Sequence, residues 1–428
     1  MLLSSLLDVT AWKRSVAALA FILALTAGSP VRASTVTDCL DTNGTESLRM
    51  KVAGAADGEV IDVSQCSTIT LLQGQITTAL NLTIQGPAGG STTIDASLNG
   101  RAFVDTGATT LNLNNVLIER GRVPGSDPNG YSGGCVFAAN QVNLQNSTLS
   151  DCAATTNNDT ARGGAVYGTI VQLTSSVVQN STASSANLDS QGGGVWAGTT
   201  VFCTNSLLQG NQAITGNALG GHAYGGAMYS NNTNLTGCAF VGNHADTTGG
   251  GIWATAVFLV NSTVSGNSAT SFVGGIAAAN SAAITNSTIA FNHGGTCGGM
   301  SGPSSSYINS SILANNVADS PTSCHDVNAG FTNGSANNLV GVADAGVTLP
   351  GDTYVGDPQL TQLANHGGPT PTHALASTSY ALDHGNNINS IDTDQRGPGY
   401  PRVVNSVADI GAYERQLDDD EIFYNGVD

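Results

Sequence analysis

Along most of this chain apolar and polar residues alternate in short runs, each broken by Gly, Asn or Ser. That is the pattern of brief β-strands, whose side chains point to opposite faces in turn. The recurrence every three or four residues that an amphipathic helix needs is missing. The runs also repeat. Gly133-Gly134-Cys135-Val136-Phe137 returns as Gly163-Gly164-Ala165-Val166-Tyr167, Gly192-Gly193-Gly194-Val195-Trp196, Gly225-Gly226-Ala227-Met228-Tyr229 and Gly249-Gly250-Gly251-Ile252-Trp253, with shorter echoes at Gly274-Gly275-Ile276 and Gly298-Gly299-Met300. Measured on the apolar residue, the steps are 30, 29, 33, 24, 24 and 24 residues. A second element, such as Asn261-Ser262-Thr263-Val264-Ser265-Gly266-Asn267, follows each, with relatives beginning at Asn146, Ser175, Asn205, Gly237, Asn286 and Asn309.

A unit that returns in the same direction predicts parallel stacking, each circuit hydrogen-bonding to the next at ~4.8 Å. Two inward ladders follow from it. One is Val136, Val166, Val195, Met228, Ile252, Ile276 and Met300; the other is Leu149, Val178, Leu208, Phe240, Val264, Ile289 and Ile312. Asn211, Asn243, Asn267, Asn292 and Asn315 are expected at one turn position, tolerating left-handed backbone angles and bonding amide to amide up the stack. The paired glycines are expected to supply positive φ where the chain enters the first strand. A phosphate-binding role for them is disfavoured, since no helix or Walker lysine follows.

The fold class predicted is all-β: a parallel β-helix with a short helical N-terminal cap at residues 47–56 and a C-terminal capping module. The strands around Val60–Val63, Ile69–Leu72 and Leu80–Ile84 should begin the stack. The chain divides into a signal peptide at 1–33, cap and first strands at 34–80, β-helix at 81–355, C-terminal module at 356–414 and acidic tail at 415–428. Lys13 and Arg14 before the apolar run 15–27, with Val31-Arg32-Ala33 as a cleavage site, carry the export reading. The apolar run is short for a membrane span, and no later segment qualifies, so the mature chain is expected to have no transmembrane segment.

Composition narrows the function. Only 10% of the 428 residues are charged, with 12 Lys+Arg against 30 Asp+Glu and a net charge of −18. From Gly163 to Gln395 there is no Lys, Arg or Glu. Nucleic acid and anionic membrane are poor partners for such a surface. The eight cysteines allow disulfides in an exported chain. Cys39–Cys66 is the favoured pair, and Cys135, Cys203 and Cys238 are left open as bridged or free. No Cys/His spacing suggests a metal, and no cofactor is called for.

The two repeat elements resemble the right-handed parallel β-helix family, including polymorphic outer-membrane protein repeats. The C-terminal series is more specific: Gly356-Asp357-Pro358-Gln359-Leu360, Asn365-His366-Gly367-Gly368-Pro369-Thr370, Thr372-His373-Ala374-Leu375, Ala381-Leu382-Asp383-His384-Gly385, Thr393-Asp394-Gln395-Arg396-Gly397, Pro401-Arg402 and Asp409-Ile410-Gly411-Ala412-Tyr413-Glu414. It is similar to the choice-of-anchor Q domain of bacterial exported β-helix proteins. The resemblance implies a secreted, cell-surface or outer-membrane-associated protein.

Some β-helices cleave acidic polysaccharides with paired carboxylates or a Ca²⁺ cluster plus a base, but between Gly121 and Asn316 the acids are only Asp127, Asp151, Asp159, Asp189 and Asp246, and no acidic pair recurs at coil spacing. No catalytic residue is therefore nominated. Phe137, Tyr167, Trp196, Tyr229 and Trp253 form an outward stripe, either a binding surface or rings stacked to stiffen the sheet. Three long coils place inserts at one corner, residues 152–162, 181–191 and 212–224, joined by 121–132. Arg122, Asp127, Asp159, Arg162 and Asp189 there form a candidate loop face. The function expected is adhesion, or binding of a polysaccharide or cell-surface protein. The alternatives are a pectate lyase-like or hydrolytic carbohydrate enzyme and a purely structural spacer. The histidines of the C-terminal module read as hydrogen-bonded structural residues.

Overall fold

The computed structural model describes residues 32–125, 127–216, 219–320 and 323–417. Apart from residues 32 and 33, the expected signal peptide lies outside these, as does the tail beyond residue 417. Among the described residues the chain is a parallel β-helix whose strands fall into a 16-stranded sheet, a 12-stranded sheet, a 7-stranded sheet and a short 3-stranded one. A single helix, Leu48–Ala53, caps the front. The Ser47 hydroxyl accepts the Met50 amide at its N-terminus, Gly54 ends it, and Leu48 and Val52 bury against the first rungs. No helix among the described residues is long and apolar enough to cross a membrane.

The first inward ladder is in register from Val136 through Val166, Val195, Met228, Ile252 and Ile276 to Met300, and each of these residues is fully buried. The second runs through Leu149, Val178, Leu208, Phe240, Val264 and Ile289 but ends on Leu313, not Ile312. Thr285 faces Asn309, so Asn286 is matched by Ser310 and the repeat lies one residue further on than its Asn-Ser pair suggests. Ile312 instead joins a second apolar cluster with Leu375, Ile410 and Tyr413.

The asparagine ladder is corrected in the same way. Asn211, Asn243, Asn267 and Asn292 are continued by Asn316, each Nδ2 donating to the next Oδ1 at 2.9–3.0 Å. The left-handed residue is the one before: Gly210, Gly242, Gly266, Phe291 and Asn315 have φ near +60°, which frees each following Asn to aim its amide inward. Each Oδ1 also accepts the backbone N–H of the Asn one rung earlier. Asp326 closes the series by accepting from the Asn316 amide and backbone. A parallel series of hydroxyls links Ser147, Ser176 and Ser206, then Ser262, Ser287 and Ser311, closed by Asn338.

The two glycines of each pair do different things. The first, at 133, 163, 192, 225 and 249, has φ between +61° and +68°. The second lies where opposite walls of the coil nearly touch. A Cβ on Gly193 would meet Gly226 O and Gln212 C at 2.3 Å, so no side chain fits.

All eight cysteines are paired, as Cys39–Cys66, Cys135–Cys152, Cys203–Cys238 and Cys297–Cys324. Cys152 lies below Ser181, whose amide is donated to Asn211 Oδ1 at the foot of the asparagine ladder, and Cys238 holds the place taken on the next rung by Ser262. Residues from about 356 onward run back along the outer flank of the second sheet. They bond to Gly237 through Thr370, to Asn261 through Thr393, to Asn286 through Asn386, to Ser310 through Gly411 and to Asn337 through His384.

Candidate functional site

The outward stripe follows from the strand that each glycine pair introduces. Val, Met or Ile points inward, so the next residue points outward, and parallel register sets Phe137, Tyr167, Trp196, Tyr229 and Trp253 one above another. Rung spacing of ~4.8 Å suits stacked rings. Centroids lie 5.0, 4.4, 6.3 and 4.4 Å apart, with planes within 4° of parallel. The interior faces therefore cover one another, and the column shows solvent its edges. Phe137, at one end, is buried, with the Arg101 guanidinium 5.5 Å above its ring. Burial pushes the Tyr167 and Tyr229 phenols up, keeping both as neutral hydroxyls.

The corner inserts form a wall beside this column. Their strands, Ala161–Arg162, Ser190–Gln191 and Ala223–Tyr224, pair in register, so Arg162, Gln191 and Tyr224 make a column of their own. Trp196 Nε1 donates to Gln191 Oε1 at 3.1 Å, and Arg162 Cζ lies 6.0 Å from the Trp196 ring. Tyr224 leans on Tyr229 and Trp253 at 6.3 and 5.8 Å. Asp189 accepts the His222 amide and adds its field to burial in raising the Tyr224 phenol.

Two of the loop-face residues, Arg162 and Asp189, thus join the aromatic column; the other three do not. Asp127 makes a buried ion pair with Arg101 at 2.7 Å and accepts from Gln75. Arg101 in turn holds Ser132 O and Gly133 O, tying down the end of the 121–132 loop. Arg122 is exposed on a bridge to Ala153, and Asp159 borders a separate hollow of about 490 Å³ with Tyr131 and Asn158. Gln191 and Tyr224 were legible in sequence: like Arg162, each immediately precedes a glycine pair. Arg101 carried no such signal, because its partner is distant in sequence and outside the repeat.

Elsewhere, Ser268 Oγ lies 2.9 Å from His244 Nδ1, and His244 Nε2 lies 3.0 Å from Asp246 Oδ1. This has the groups of a nucleophile, base and orienting acid. However, the backbone amides of His244 and Ser268 are donated to Asn211 O and Asn243 O in the ladder, so neither can stabilise an oxyanion. Against the upward push of burial, hydrogen bonds from His244 and the Thr215 amide hold the Asp246 carboxyl below its usual range.

In the C-terminal module, Arg396 is sandwiched between Tyr400 and Tyr413 at 3.9 and 3.8 Å and paired with Asp394. Burial holds the His373 imidazole below its ordinary value. Its Nδ1 donates to Thr361 O, so Nε2 is left to accept from Ser265 Oγ on the β-helix.

No family model matches this chain, and no curated protein matches it. Among solved structures, the crystal structure of pectate lyase Pel9A aligns over 90% of this chain and 96% of that one, with 13% identity and a TM-score of 0.38.

Proposed function

We propose that this is an exported surface protein whose β-helix binds neutral polysaccharide along the aromatic column and its wall, without cleaving it. The observation that carries the reading is the column itself: five outward rings in register, flanked by Arg162, Gln191 and Tyr224, on a body with no Lys, Arg or Glu from 163 to 395. Ring edges give apolar contact and the flanking hydroxyls and amides give hydrogen bonds, a combination that suits sugars. Polyanionic chains need several cationic partners, and this wall offers Arg162 alone. The leader-like residues 1–33 and the likeness of the C-terminal series to a choice-of-anchor Q domain support export and surface display.

Full-length protein on a glycan array should select neutral polysaccharides. The double variant Trp196→Ala, Trp253→Ala should lose at least about tenfold in binding, equivalent to about 1.4 kcal/mol. Absence of any bound glycan, or binding untouched by the double variant, overturns the proposal. Release of reducing ends or unsaturated products from a bound polysaccharide overturns the non-catalytic half and restores the carbohydrate-enzyme alternative.

A further inference from the structure

The aromatic column stops abruptly. Above Trp253 the same outward position is filled by Ala277, then Ser301, then Asn328. Where the stacking pattern would place sixth and seventh rings there is instead a recess of about 380 Å³, bordered by Trp253, Phe272, Ala277, Thr296, Ser301 and Asn328. Its size falls at the small end of the ~300–1,000 Å³ usual for ligand sites. Three rungs separate Trp253 from Asn328, about 14 Å at the spacing of parallel strands. Phe272, 49% exposed, stands at the side.

Trp253 differs from every ring below it in the column. Each of those is covered by the next ring up, whereas Trp253 has only the methyl of Ala277 above it, too small to cover an indole. Because the column's rings stack along the solenoid axis, the uncovered face looks along that axis into the recess. An apolar floor and side wall, ringed by hydroxyls and an amide and without an ionisable group in its lining, match a pyranose: one C–H face to lie on the indole and a rim of hydroxyls for Ser301, Thr296 and Asn328.

We infer that the recess is a carbohydrate subsite in which one pyranose ring of a neutral polysaccharide stacks on Trp253, in the place of the sixth aromatic ring. This rests on the proposed glycan-binding role and locates its anchoring contact. A uronic acid is disfavoured, since its carboxylate would meet no cation there and the molecule carries a net charge of −18.

The test is affinity electrophoresis of the full-length chain through gels containing hydroxyethylcellulose, xylan or galactomannan, with polygalacturonate as the acidic comparator. Ala277→Trp supplies the missing ring and fills the recess. Phe272→Ala removes the exposed side wall with little risk to folding. Phe202→Ala, an exposed residue away from the site, is the control. At least one neutral gel should retard the wild type, Ala277→Trp and Phe272→Ala should each weaken retention about tenfold, and Phe202→Ala should match the wild type. Neutral-gel retention that survives both Phe272→Ala and Ala277→Trp overturns this subsite and leaves glycan binding standing. Should Ala277→Trp fail to fold, Phe272→Ala decides alone. Retention by polygalacturonate only overturns the neutral class, and retention by no gel overturns the subsite and the binding role together.

Discussion

At the scale of single residues, the most unusual group is the buried charge cluster of the C-terminal module. Arg396 and Arg402 face Asp394, Asp409 and Glu414, all almost completely buried. Two guanidiniums cannot neutralise three carboxylates, and an uncompensated buried charge is costly, so one carboxyl retains its proton. Burial pushes Glu414 up to about 8, against the pull of Arg402 and of the Asp409 and Val404 amides. A carboxyl whose folded value lies above its ordinary 4.5 stabilises the fold while protonated. Its contribution is complete below that ordinary value and disappears as pH rises through about 8. The wild-type melting temperature is therefore expected to fall between about pH 4.5 and about pH 8 and to level off above, and Glu414→Gln, always neutral, should flatten the profile across that window. Differential scanning calorimetry at a series of pH values checks this; equal slopes in the two proteins would place the retained proton elsewhere.

At the scale of elements, the side-chain ladders do what turns in a solenoid require, satisfying backbone groups at corners where strand pairing stops. Asn267 receives the Asn243 amide, donates to Phe240 O and hands on to Asn292. Asn267→Ala leaves buried donors and acceptors unpaired on two rungs and is expected to destabilise by about 3 kcal/mol in urea unfolding. A loss under about 1 kcal/mol would mean that water replaces the amide. The period, the inward ladders and the glycine pairs were legible in the sequence, because every rung repeats the same chemistry at the same place. Ile312 and Asn315 were misread because Asn309-Ser310 imitates the Asn-Ser pair that opens earlier units, whereas register is set by backbone pairing, which puts Ser310 opposite Asn286. Of the candidate site, the ring column was legible with face-to-face stacking as one of two readings, and the structure shows the rings stacked. Strand alternation says which way a side chain points, while the dihedral that turns each ring flat against its neighbour is settled by packing.

At the scale of the whole molecule, the C-terminal module covers a flank that repeats alone leave incomplete. Ile312, Ala314 and Leu339, on the second sheet, are buried against Ala374, Leu375, Ala381, Ile410 and Tyr413. A chain ending at residue 355 uncovers them and should bind a hydrophobic dye and self-associate, where the full chain does neither. Sedimentation velocity on the two proteins separates the outcomes, and a monomeric, dye-silent truncation would show the flank to be self-sufficient. The module's ties reach Gly237, Asn261, Asn286, Ser310 and Asn337, which belong to successive rungs. A pull applied near residue 417 would accordingly be shared sideways among several turns at once, loading the solenoid in shear along its flank instead of peeling it open from the last coil.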